Sequence, residues 1–323
     1  MKKASTALAF LLAATLASAG PAFGWGSATH AYIGHELRAQ AGPVDLDEVY
    51  GSMAPDLFNF IFASPDYPQL APLVPYLYAL THYDQAGLND SLRRGWEKAS
   101  LYGFLGHSEA RGSDRTAHVA SLTLDPAEGY VIAKAQALNQ LLMQDPRYAA
   151  LVALGLTPQA SLDICHNLVE SAGDLIVAQA SPNVGGLMAA SAARPAQPLE
   201  GLLLRAWTPG LVAAGLTQEQ AAGLIVGWDT WFRGRMIAYG GVMQLPPADA
   251  FAGVVQDFAT LAQAYLLSLG VTLPPGSDLA PLIADGLAAA VALCQGDYLD
   301  EVEKTVGYTA FQLKRSKALQ PLR

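Results

Sequence analysis

Residues 157–174 read TPQASLDICHNLVESAGD, and this stretch has the pattern of a helix with polar side chains on one face. Thr157 is followed by a proline, which is typical of the first turn of a helix. His166 and Glu170 are four residues apart, and Asp174 lies one further turn along, so the three side chains share one helix face. The stretch therefore predicts a helix on which a His and a Glu can reach one divalent cation, with Asp174 in support.

The remainder of the chain has the same helical character. Hydrophobic residues make up 52% of the sequence, and few stretches alternate apolar and polar residues. Asp125-Pro126-Ala127-Glu128 is interpreted as a capping box, and Thr217 with Gln220 indicates another helix start. Residues 282–293 are apolar but short and include Asp285, which predicts a buried helix and not a membrane span. We predict an all-α, multi-helix fold.

The first 24 residues have the layout of a secretory signal peptide. Lys2 and Lys3 precede an apolar run, and small residues follow. Cleavage is expected after Ala19 or after Gly24, and the sequence does not decide between them. We predict a signal peptide over 1–24, a single helical domain over 25–323, and a periplasmic or extracellular location.

Charge and cysteine content narrow the function classes. The chain has 28 acidic and 19 basic residues, a net charge of −9, which argues against a protein that tracks nucleic-acid phosphates. It does not exclude an enzyme that handles a phosphodiester through metal ions. Cys165 and Cys294 are interpreted either as a disulfide, which export permits, or as two buried small residues.

A possible metal site is indicated by residues 107–118. His107, Asp114 and His118 are spaced by seven and four, so on a continuous helix they would share one face. Burying such side chains unpaired is costly, whereas the same side chains can hold metal ions. Gly112-Ser113 is the point at which such a helix would break.

All six histidines lie between residues 30 and 166, so chemistry based on His is expected in the first half of the chain. His30, Asp56 and His82 add further ligands of the types that zinc takes. Five histidines and three acids can supply two or three zinc sites, and His35 is assigned a structural role. The residues 200–323 are expected to be helical scaffold, substrate wall or interaction surface.

The order Trp25, His30, Asp56, His82, His107, Asp114, His118 and then His166-x-x-x-Glu170 resembles the zinc-dependent phospholipase C family. The S1/P1-type nucleases share its trinuclear zinc fold. The resemblance covers about residues 25–174. It implies one zinc bound by the free amine and carbonyl of Trp25 with His30 and Asp114. It implies a second held by Asp56, His82, His107 and Asp114, and a third held by His118, His166 and Glu170.

The sequence departs from the family pattern at two places. The family has Asp four residues after the middle His, where this chain has Arg111. Asp114 is therefore chosen as the bridging carboxylate, with Glu109 as the alternative. The interval from Asp56 to His82 is also long and rich in proline, which predicts an inserted loop at the substrate entrance.

The resemblance implies hydrolysis of a phosphodiester by a zinc-bound water that Asp56 orients or deprotonates. The expected partner is a phospholipid, with transient contact to a membrane surface, and no stable protein partner is predicted. Nucleic acid is less favoured as a substrate. Three alternatives stay open: a single-strand nuclease on the same scaffold, a non-catalytic helical protein with structural zinc, and an exported helical binding protein without metal. Six aromatic residues between Phe58 and Tyr78 are interpreted as core or as substrate contacts.

Overall fold

The computed structural model describes residues 25–37, 46–83 and 85–316. The predicted signal peptide and both of its expected cleavage points lie outside these residues.

The first half of the chain contains short helices. They are α1 (Ser27–Leu37), α2 (Leu46–Met53), α3 (Tyr67–Leu70), α4 (Val74–Tyr78), α5 (Ala86–Ser91), α6 (Lys98–His107), α7 (Asp114–His118), α8 (Tyr130–Leu142) and α9 (Pro146–Ala153). Between them lie 3₁₀ turns at Ala54–Phe58, Ile61–Ala63, Ala71–Leu73 and Gly95–Glu97, and a π-helical turn at Ala79–Tyr83.

The second half consists of longer helices. They are α10 (Pro158–Ala180), α11 (Val184–Ala192), α12 (Gln197–Ala213), α13 (Gln218–Met243), α14 (Pro247–Ser268), α15 (Ala280–Cys294) and α16 (Tyr298–Ser316). No strand occurs in the described part of the chain, so the predicted all-α fold is confirmed.

Helix α10 lies at the centre of the molecule. It packs against α8, α15, α1 and α14. Most of its residues from Ala160 to Val177 that face these neighbours are buried, including His166, Glu170 and Asp174. The helix that the sequence predicts from Thr157 is present, and the Thr157 hydroxyl accepts a hydrogen bond from the Ala160 amide at 3.1 Å. The polar line of α10 therefore lies inside the protein.

Two glycines let α2 and α6 approach each other closely. A Cβ on Gly103 would lie 2.0 Å from the Glu48 carbonyl oxygen, and one on Gly51 would lie 2.3 Å from the Ser100 carbonyl oxygen. Backbone atoms cannot move aside as side chains do, so larger residues are excluded here. The contact fixes the end of α6, at His107, beside the turn that carries Asp56 at the end of α2.

Two of the three helix starts taken from the sequence are confirmed. The Thr217 hydroxyl accepts from the Gln220 amide, and the Gln220 side chain accepts from the Thr217 amide. The capping box at residues 125–128 is wrong. Those residues form a turn in which the Asp125 side chain accepts from the Ala127 amide at 2.9 Å, and the helix begins later, at Tyr130.

The expected loop after Asp56 is also different from the prediction. Its prolines stand at the starts of successive short helical turns through α3 and α4, where a proline costs no hydrogen bond. The segment is therefore helical, and Tyr76 and Tyr78 at its end are partly buried.

Residues 282–293 form the buried helix that the sequence predicts, as part of α15. No single described helix meets the length and hydropathy needed to span a membrane. Only the bent pair Ala280–Cys294 and Tyr298–Arg315 meets them, by length and composition.

Cys165 and Cys294 are both buried and free, which supports the interpretation as buried small residues over the disulfide.

Candidate metal centre

Five separate elements bring three imidazoles and two carboxylates to one buried point. His30 comes from α1, Asp56 from the turn after α2, His82 from the π-helical turn, His107 from the end of α6 and Asp114 from the start of α7. All five side chains are at most 5% exposed. Buried side chains of this kind normally have partners that compensate for lost water.

The imidazole Nε2 atoms converge on the two carboxylates. The Asp114 oxygens lie 2.8 Å from His107 Nε2, 3.3 Å from His30 Nε2 and 3.6 Å from His82 Nε2. Asp56 Oδ1 lies 3.4 Å from His82 Nε2 and 3.5 Å from His107 Nε2. One ligand atom from each of His30, Asp56 and His107, and likewise from each of His82, His107 and Asp114, lies within 4.8 Å of the others, which is close enough for each set to hold a metal ion.

The outer nitrogen of each imidazole faces a different partner. His107 Nδ1 lies 2.8 Å from the Ser52 carbonyl oxygen, to which it donates. His82 Nδ1 lies 2.6 Å from the Thr81 hydroxyl, and His30 Nδ1 lies 3.4 Å from the Ser113 hydroxyl. A histidine that donates from Nδ1 presents the lone pair of Nε2, which is the arrangement of metal-ligating histidines.

Within the described part of the chain, His30 Nε2 and both carboxylate oxygens of Asp114 have only these facing imidazoles and carboxylates as partners. Without a proton or a cation between them, the facing lone pairs repel one another, which costs free energy in a buried site. Bound cations would remove this cost, so the donor set fits zinc, which takes imidazole nitrogen and carboxylate oxygen.

A second group lies on α10 and at the end of α7. One ligand atom from each of His118, His166 and Glu170 lies within 4.8 Å of the others. His166 Nε2 is 2.8 Å from Glu170 Oε1, as the four-residue spacing predicts, and the rings of His118 and His166 are 5.1 Å apart.

The charges of the centre shift its protonation equilibria. Burial lowers the pKa of His107, but the negative charges of Asp114 and Asp56 outweigh it and raise that pKa to about 9. Burial and repulsion from Asp56 and Asp114 raise the pKa of Glu170 well above its usual value. The carboxylates therefore repel one another across the centre, and cations between them would relieve this repulsion.

The structure brings together the residues of the second and third sites implied by the family resemblance. The second site, with Asp56, His82, His107 and Asp114, and the third, with His118, His166 and Glu170, each form one group. The chain between His107 and His118 is not one continuous helix, and it is interrupted at Gly112-Ser113, where the sequence indicates a break. Helix α6 ends at His107, and a tight turn precedes Asp114, in which a Cβ on Gly112 would lie 2.3 Å from the Gly106 carbonyl oxygen.

Trp25 and His30 belong to the first implied site. The Trp25 indole is buried and donates from Nε1 to the Ser113 carbonyl oxygen at 3.0 Å, next to Asp114 in the chain. Its ring also packs edge-on against Tyr298. The role of its amine as a ligand depends on a cleavage that falls outside the described residues, so that role stays a prediction.

Asp174 supports the start of α1 and not the ligands on its own helix. Its carboxylate accepts from the Thr29 amide at 2.8 Å and from the Thr29 hydroxyl at 2.9 Å. A Cβ on Gly26 would lie 2.4 Å from the same carboxylate, so only glycine fits beside it. Burial raises the pKa of Asp174 to about 6. His35 lies outside the centre and pairs with Glu36 at 3.7 Å.

Glu109, the alternative bridging carboxylate, lies beside the centre and not in it. It accepts hydrogen bonds from Tyr78 and Tyr83 and contacts His118 Nδ1. Burial raises the pKa of Glu109, but the hydrogen bond and charge of His118 and the hydrogen bond from Tyr78 outweigh it and lower that pKa to about 2. Asp114, and not Glu109, therefore lies among the three imidazole nitrogens.

A cleft of about 90 Å³ opens beside the centre. Asp56, Glu170 and Trp25 line one end of it. Its walls come mainly from α10, α13 and α14, and the last two contribute Arg235, Met236, Tyr239, Val254, Asp257, Phe258, Leu261, Ala262 and Tyr265. No local pattern in the sequence marks the wall residues of α13 and α14, because most of them have the spacing of ordinary core-facing helix residues.

Comparison with known proteins adds no assignment. No family model, no curated protein and no solved structure matches this chain.

Proposed function

We propose that this chain is an exported zinc-dependent phosphodiesterase that hydrolyses a phospholipid, binding two or three zinc ions. The observation that carries the proposal is the convergence of three buried Nε2 atoms on the carboxylates of Asp56 and Asp114. The group of His118, His166 and Glu170 supplies a further zinc site. Structural zinc sites are usually closed by four ligands, whereas a shared centre beside a cleft favours catalysis.

The side chains at the centre have separate roles in the proposed hydrolysis. Bound zinc would supply a water of lowered pKa and would neutralise charge on the phosphoryl oxygens. Asp56 lines the cleft, where it orients the attacking water and accepts its proton. The Asn59 side chain donates to Asp56 Oδ1 at 2.6 Å and keeps the carboxylate turned to the centre.

The cleft favours a lipid over a nucleic acid. Its walls include Phe62, Phe258 and Leu261, which suit an apolar group attached to the phosphate. Its lining cation, Arg235, is already paired with Asp257 by two hydrogen bonds of 2.7 and 3.0 Å. A single-strand nuclease needs uncompensated cations for flanking phosphates, and the described lining of the cleft offers none. The expected contact with a membrane is transient, and no stable protein partner is proposed.

The test is hydrolysis by zinc-loaded protein of phosphatidylcholine vesicles and, separately, of single-stranded DNA, with and without a chelator. We expect release of diacylglycerol that the chelator abolishes, and little cleavage of DNA. Asp56→Asn should lower kcat by about 100-fold or more. Asp297→Asn should keep the activity, because Asp297 lies outside the cleft lining and its carboxylate pairs with Lys134.

The competing functions have their own outcomes. Faster cleavage of DNA than of lipid would favour the nuclease. Activity on neither substrate in protein with its full zinc content would leave a non-catalytic zinc protein. Less than one zinc per chain would favour a metal-free helical binding protein.

A further inference from the structure

Glu109 joins the two groups of the candidate centre although it belongs to neither. Its side chain is 6% exposed and contacts three side chains. Oε1 accepts from the Tyr78 hydroxyl at 2.6 Å and lies 2.8 Å from His118 Nδ1. Oε2 accepts from the Tyr83 hydroxyl at 2.8 Å. A carboxylate with this many partners has a fixed orientation.

One side of Glu109 orients His118. The carboxylate accepts a hydrogen bond from Nδ1–H of His118. This hydrogen bond fixes the tautomer and leaves the lone pair on Nε2. That nitrogen is then the one available to the group with His166 and Glu170. Carboxylates that bind the outer nitrogen of a ligating imidazole also increase its basicity.

The other side of Glu109 reaches His82. The Tyr78 hydroxyl donates to Glu109, and the Tyr78 ring is stacked on the His82 ring, with centroids 4.1 Å apart and planes 13° from parallel. The Glu109 amide also donates to the His82 carbonyl oxygen at 3.2 Å. His82 is thus fixed through its ring and its backbone by contacts that meet at Glu109.

We propose that Glu109 is a positioning residue that fixes His118 directly and His82 through Tyr78, so that both zinc-binding groups depend on one carboxylate outside them. The inference rests on the metal centre in the proposed function and not on the identity of the substrate. It extends the site beyond its ligands to Glu109 and Tyr78.

The test measures zinc content by elemental analysis and zinc affinity by competition with a chromophoric chelator, in intact protein. Glu109→Ala removes the acceptor and should lose about one zinc per chain. Glu109→Gln keeps the shape and one acceptor oxygen, so it should keep the zinc number with about 10–100-fold weaker affinity. Tyr78→Phe should weaken zinc binding less, because Glu109 still contacts His118.

Glu301→Gln is the matched control. Glu301 is also buried and accepts hydrogen bonds from the Ser121 side chain and the Leu122 amide, and it belongs to neither zinc-binding group. This change should lower the melting temperature without changing zinc affinity. Unchanged zinc affinity in both Glu109→Gln and Glu109→Ala, or a wild type without zinc, would overturn the inference. Zinc loss in these variants from a wild type that hydrolyses no phosphodiester would contradict the proposed function alone.

Discussion

At the scale of single residues, Asp114 is the carboxylate on which the proposed zinc sites depend most. Its two oxygens are buried and lie 2.8 to 3.6 Å from three imidazole nitrogens. Burial alone would raise the pKa of this carboxyl, but the charges and hydrogen bonds of His107 and His30 hold it well below its usual value. Asp114 is therefore held as a carboxylate among these imidazoles, and its loss should disrupt the proposed zinc sites.

Asp114→Asn should remove at least one zinc per chain and lower activity by more than about 100-fold, because an amide oxygen is a poor bridge between cations. Elemental analysis and the phosphatidylcholine assay measure both effects. The same zinc content as the wild type would show that Asp114 is not a ligand.

The two cysteines should be inert thiols in the folded protein. Burial raises the pKa of Cys165 and of Cys294 to about 12, so almost no thiolate is present at pH 8. We expect no reaction of native protein with a disulfide reagent such as Ellman's, and two thiols after unfolding in denaturant. A mass lower by two hydrogens, or no thiols after unfolding, would indicate a disulfide.

Trp25 gives a prediction about processing. A free α-amine has a pKa near 8 and can ligate zinc, whereas an amide nitrogen in the precursor cannot. Protein that retains a few residues before Trp25 should therefore bind one zinc fewer than protein that begins at Trp25. Equal zinc content and equal activity in the two forms would contradict a ligand role for this amine.

At the scale of elements, the contact between α2 and α6 sets the distance between Asp56 and His107. Gly103→Ala would place a methyl group against the Glu48 carbonyl oxygen. We expect it to lower the free energy of unfolding by about 1–3 kcal/mol and to weaken zinc binding, because the helices must move apart. Chemical denaturation and chelator competition measure the two effects.

Gly227→Ala is the control for this change. Gly227 lies within α13, where an added Cβ meets nothing within 4 Å. The substitution should raise the free energy of unfolding by about 0.5–1 kcal/mol through helix propensity and leave zinc binding alone. A destabilised Gly227→Ala, or a Gly103→Ala protein as stable as the wild type, would show that this packing argument is wrong.

At the scale of the whole molecule, zinc should stabilise the fold. The groups around the centre come from α1, the turn after α2, the π-helical turn, α6, α7 and α10, so cations that bind them would connect separate parts of the first half of the chain to α10. Zinc at 1,000 times its Kd contributes about 4 kcal/mol to the free energy of unfolding. A chelator should therefore lower the melting temperature of the wild type markedly and that of Asp114→Asn less. Equal melting temperatures with and without chelator would contradict this role.

Much of the fold and of the candidate ligand set follows from the sequence. The helix starts at Thr157 and Thr217 can be predicted from local sequence, because each threonine hydroxyl accepts a hydrogen bond from the amide three residues later. The pair His166 and Glu170 follows from helix periodicity alone. The prediction of a capping box at Asp125 is wrong because an aspartate side chain can accept from the backbone of a turn as well as from a helix start. Only the surrounding structure selects between the turn and the helix start.

The all-α class, the residue types available to the centre and the pairing of His166 with Glu170 can be predicted from the amino-acid sequence, because they depend on composition and on contacts within a few residues. Which side chains meet across elements depends on the tertiary packing. Close packing at Gly103 and the turn at Gly112 place Asp114, and not Glu109, among the imidazoles of the centre. Packing also brings α13 and α14 to the cleft, whose wall they form together with α10. Contacts between distant residues depend on how whole helices pack, and no local spacing encodes that.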